Sequence, residues 1–112
     1  MAKNAKDKHI ELRLNVLLSV QRALLGEVVP WMRKISVEWA GKQIKVWVYH
    51  DGLIEEKDKE DFDACVITQL VADFPIPSEG GPAFALEFVR QDFPEKCVAR
   101  GQLVYARKEV WY

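Results

Sequence analysis

Four side chains in this 112-residue chain could ligate a metal or act as a nucleophile with its base: His9, His50, Cys65 and Cys97. They stand singly. A zinc site wants His and Cys at short paired spacings, and the chain has no CxxC or HxxxH. Cys65 reads better as a small apolar filler on a helix face, so no metal is expected. His50 could pair with either thiol, but such pairs are made by geometry and the sequence shows none. There is no G-x-S-x-G, no Walker-type loop and no dinucleotide fingerprint. "EGGP" (79–82) has two glycines but no helix after it, so it does not read as a phosphate cradle. The chain is expected to be neither an enzyme nor the holder of a cofactor.

Carboxylates are the plentiful chemistry. Between Glu55 and Asp63 six acids face two lysines, a local net charge of −4. General acid–base work needs carboxylates converging in a cleft. A helix start displays them to solvent instead. Such runs usually solubilise a face; the other reading is a docking surface for a basic partner. Just upstream, Trp47 and Tyr49 occupy alternate positions of "KVWVYHDG". Trp and Tyr are the types that anchor interfaces. The plainer reading is that the tail 109–112, the loop 75–82 or Lys45 covers them. Stacking of nucleic-acid bases would need interleaved lysines and arginines. Here the aromatics adjoin acid, so no nucleic acid is expected.

The elements that position these residues follow from periodicity. Residues 1–8 are polar and Lys-rich, a flexible tail or a weak helical extension. From His9 to Leu25 the period is helical, with Ile10, Leu14, Leu17, Leu18, Leu24 and Leu25 as the inner stripe. Gly26 is the stop. After Pro30 the period changes to two. With Gly41-Lys42 as the loop, Trp39 faces Ile44, Val37 faces Val46, Ile35 faces Val48, and Glu38 faces Lys45. All aliphatics then share one face, and Trp47 and Tyr49 lie on the other. A second helix starts at Glu55 or Asp58 and runs to Asp73, with Phe62, Cys65, Val66 and Leu70 inward. Residues 75–82 are a loop rich in Pro and Gly. Phe84, Leu86 and Phe88 alternate on a third strand. A turn-rich connection over 92–100 leads to a fourth strand after Gly101, with Leu103 and Tyr105 on one face.

The order is αββαββ. It predicts an α+β two-layer sandwich, a four-stranded antiparallel sheet with two helices on one face. The other sheet face would stay open to water or a partner. One domain spans 1–112. The net charge of −1 provides no field for nucleic acid or membrane, and no apolar run reaches the length of a span. Two cysteines fit a reducing cytoplasm, with a Cys65–Cys97 disulfide left open.

"RALLGEV" (22–28), the run from Arg33 to Glu60, "VADFP" (71–75) and "GQLVYARKE" (101–109) resemble bacterial immunity proteins that protect against polymorphic toxins, including those of contact-dependent growth inhibition. The resemblance implies a cytoplasmic, non-enzymatic protein. Its partner would be a toxin's C-terminal effector domain, commonly a nuclease, blocked at its active or substrate-binding site. On that reading the physical choice of contacts is Trp47, Tyr49, Asp51, Glu55, Glu56, Asp58 and, after the third strand, Asp92. The alternative is a small self-associating scaffold; a monomer is favoured.

Overall fold

The structure, a computed structural model, describes residues 5–109. Helix α1 (Ala5–Leu24) is followed by β1 (Met32–Ala40), β2 (Gln43–His50), helix α2 (Glu56–Ala72), β3 (Ala83–Arg90) and β4 (Gln102–Ala106). Residues 5–8 open α1, in line with the helical extension, and residues 1–4 lie outside the described residues. The β1–β2 register is the expected one: Trp39 opposite Ile44, Val37 opposite Val46, Ile35 opposite Val48, Glu38 opposite Lys45. A bulge at Arg33 interrupts it near the start of β1.

The sheet corrects the antiparallel expectation. Its order is β3-β2-β1-β4, and β3 runs parallel to β2. The reason is the connection. A helix laid on the sheet returns the chain to the end where β2 began, so the next strand starts there and runs the same way. Phe84, Leu86 and Phe88 then stand beside Ile44, Val46 and Val48. β3 and β4 therefore occupy opposite edges and are not a hairpin; β4 pairs antiparallel with β1.

One core joins both helices to one sheet face. Val16, Val20, Ala23 and Leu24 of α1 and Phe62, Val66 and Leu70 of α2 pack with Ile35, Val37, Ile44, Val46 and Val48. Phe62 meets Phe88 edge-on at 5.9 Å, and Phe74 meets Phe84 at 5.5 Å. The buried stripe of α1 differs from the expected one. Val16, Ser19, Val20 and Ala23 face inward together with the expected Leu24, while Ile10, Leu14, Leu18 and Leu25 are exposed. α1 carries two apolar stripes, and the narrow space above the sheet takes the slimmer one. Cys65 lies on the surface, not in the α2 stripe, and both cysteines are free thiols. In β4 the partners step from Ile35–Tyr105 to Ser36–Leu103, a bulge that puts Leu103 and Tyr105 on opposite faces.

The edge-to-edge topology has a consequence for the other face. Residues 91–101 leave one edge and must reach the far one. They do so across the face away from the helices, as a strap that covers Tyr49 and Lys34, while Ala85 and Glu87 of β3 stay exposed on that face. Lys34 Nζ donates to the Cys97 carbonyl at 2.7 Å, and the Arg100 N–H donates to the Tyr49 hydroxyl at 2.9 Å. Cys97 is buried, and burial raises its thiol pKa. Gly101 closes the strap at φ +71°; a Cβ there would lie 2.2 Å from the Val37 carbonyl oxygen.

Candidate functional site

The strap separates the expected contact residues into two sets. Four of them build or bear the strap. Tyr49 is only 2% exposed, and its hydroxyl is taken by the Arg100 N–H. It is thus a floor for the strap, not an outward anchor. Trp47 is half-buried. Its ring stacks on Tyr49, lies 4.7 Å from Lys45 Nζ and 5.1 Å from the Arg100 guanidinium, and its indole N–H donates to Glu38 at 3.3 Å. Asp92 accepts the Gly52 N–H at 2.7 Å and pairs with Arg90 at 3.0 Å. Those hydrogen bonds, the one from Arg90 first, hold its carboxyl below the usual range.

Asp51 accepts the Phe93 N–H and pairs with Arg107 at 2.6 Å. It belongs to a network that nothing in the sequence singled out. Arg33, fully buried, makes a bidentate pair with Glu109 at 2.6 and 3.0 Å and donates to the Gln91 carbonyl at 2.7 Å. Arg107 joins Glu109 at 2.9 Å and the Pro30 carbonyl at 2.8 Å. Two guanidiniums face two carboxylates, so the charges are balanced inside. The Arg33 hydrogen bonds pull the Glu109 pKa down to about 2. Arg33 stands far from Glu109 along the chain, and Arg107 far from Asp51, so the fold brings those pairs together; Arg107 and Glu109 are two residues apart.

The remaining three residues behave differently. Glu55 stands at the N-terminal boundary of α2 without a side-chain capping bond, and Glu56 and Asp58 lie in the first turn. All three are exposed, and none has an ion pair among the described residues. Their negative charge suits the positive end of the helix dipole. Helical spacing puts Asp58, Asp61, Phe62 and Cys65 on one side of α2. There they line an open cleft of about 270 Å³ against Glu27, Val29, Trp31 and Met32. Asp61 and Glu27 were not among the expected contacts. In sequence the acids form a run, and the signal for Asp58 and Asp61 is their i, i+3 spacing on the helix.

Among the described residues no group of three or more His, Cys, Asp or Glu could hold a metal ion. His50 is buried between Trp31 and Phe88, and burial lowers its pKa. Among the described residues no helix is long and apolar enough to cross a membrane.

No curated protein matches the sequence significantly. A family model described as MafI2 immunity protein matches residues 13–109. That span holds both helix–sheet layers from the middle of α1 onward, the strap, the buried arginine network and the acidic start of α2. The chain therefore belongs to the MafI2 immunity protein family.

Proposed function

We propose that this protein neutralises a cognate toxin in the cytoplasm by laying the acidic start of α2 into the basic substrate-binding cleft of the toxin's C-terminal effector domain, a nuclease. Membership of an immunity family supports a toxin protein as the partner and inhibition as the role. The observation that carries the surface is the state of Glu55, Glu56 and Asp58: exposed, clustered, and without an ion pair among the described residues. A nuclease cleft is built to receive phosphates, and such carboxylates present comparable charge without a scissile bond. Their long-range field speeds encounter and rejects acidic partners. Trp47, Tyr49, Asp51 and Asp92 serve this reading by holding the strap and the turn before α2, not by touching the toxin.

The test is protection of cells that make a toxin effector domain with which this protein is co-expressed. Replacing Glu55, Glu56 and Asp58 together by Lys is expected to weaken protection roughly tenfold or more in tolerated toxin dose, with the fold retained by circular dichroism. Undiminished protection by the folded triple variant rules out this surface.

A further inference from the structure

We infer that the cleft beside α2 is a socket for one arginine side chain of the toxin, an assignment of source that rests on the neutralisation reading above. The floor is apolar: Met32 and Phe62 are buried, with Val29 and Trp31 half-buried beside them. The mouth is acidic. Asp58 and Asp61 are exposed on one rim and Glu27 stands half-buried on the other, and none of the three has an ion pair among the described residues.

Those two properties select the occupant. A purely apolar group would cover three carboxylates and leave them unpaired, a heavy cost. A metal ion lacks the converging ligand set. At about 270 Å³ the space falls short of the roughly 300–1,000 Å³ of small-molecule sites. An arginine side chain meets each demand. Its methylene stem lies along Met32 and Phe62, its planar guanidinium stacks on the Trp31 indole, and its N–H fork meets carboxylates bidentately. Lysine, a hydrated point charge, uses neither the plane nor the fork. The wall is set in advance, because Trp31 is held edge-on against buried His50 at 6.0 Å. Little ordering is left for the moment of binding.

The test needs no toxin. The full chain, labelled with ¹⁵N, is titrated with N-acetyl-arginine methylamide at millimolar concentrations, following the tryptophan indole N–H signals. The expected result is a saturating shift of Trp31 that exceeds those of Trp39 and Trp47. The shift should disappear in D58N/D61N and be absent with the norleucine analogue. An unmoved Trp31, an equal response in D58N/D61N, or an equal response to the norleucine or lysine analogue overturns the socket. In the protection assay D58N/D61N is expected to lose roughly tenfold while E60Q, on the far side of α2, loses nothing. If D58N/D61N protects fully where the wild type protects, the socket is wrong and neutralisation stands. If the wild type protects against no toxin, neutralisation is wrong, and the titration still decides whether the cleft takes arginine.

Discussion

Asp51 and Glu55 are near neighbours in sequence, yet they serve opposite purposes. Asp51, with Asp92 and Glu109, is held by arginines and backbone N–H groups of the molecule itself. Glu55, with Glu56 and Asp58, faces only water. Both groups are carboxylates flanking one turn. What separates them is the backbone nearby. In the first group the Phe93 N–H donates to Asp51 and the Gly52 N–H donates to Asp92, so carboxylates satisfy backbone donors. The start of α2 offers its own N–H groups only through the helix dipole, and Glu55 makes no side-chain cap. The first group therefore holds the molecule together, and the second is available to another molecule. A run of acid in a sequence can contain both kinds.

The largest break in this comparison comes from removing the strap. Gly101→Ala must fit a Cβ at positive φ and 2.2 Å from the Val37 carbonyl oxygen. A cost of about 3 kcal/mol is expected from the left-handed backbone and the displaced strand, read as a lower midpoint in urea unfolding. A cost under about 1 kcal/mol would mean the strap yields freely and the outer face can open.

How much of this was legible follows from the same elements. The β1–β2 hairpin was readable because only one register puts every aliphatic inward and Glu38 beside Lys45. The parallel placement of β3 was not, since Phe84, Leu86 and Phe88 alternate identically either way. The available signal was the intervening helix, which is a crossover in its own right. With the strand order misplaced, residues 92–100 looked like a turn between neighbours when they span the sheet. The burial of Tyr49 followed from that, and so did the internal hydrogen bonds of Asp51 and Asp92. The acidic start of α2 was legible because a helix N-terminus exposes its first turn whatever the topology. The quoted stretches that carried the immunity-protein resemblance fall within the matched span 13–109.

A middle-sized effect separates the two groups by pH. The folded-state pKa of Glu109 lies near 2, below its ordinary 4.5. A depressed carboxyl pKa gives stability that is present above the unfolded value and lost as pH falls through the folded one. Between pH 4.5 and about 2 the protein should lose on the order of 2 kcal/mol through this group, after discounting for its partial exposure. Asp92 and Asp73, also lowered, act in the same direction, as does His50 from its ordinary 6.5 downward. Urea midpoints across pH 2–7 measure it, and Glu109→Gln should flatten the acid limb. An unchanged limb in that variant would remove Glu109 from the account.

The smallest effect is also the sharpest contrast. Asp51→Ala takes the acceptor from the Phe93 N–H and one partner from Arg107, which then shares its charge with Glu109 alone. Losses of this type cost about 1–2 kcal/mol when the remaining groups are partly shielded from water. Asp58→Ala removes no internal hydrogen bond or ion pair among the described residues, only a favourable charge near the helix start. Its cost should stay within about 0.5 kcal/mol. The two variants, melted side by side, ask whether the carboxylates flanking this turn differ as their partners say. Equal costs would mean that Asp58 supports the fold like Asp51. The acid beside α2 would then have a structural reason to exist, and the argument that it waits for a basic partner would lose its physical basis.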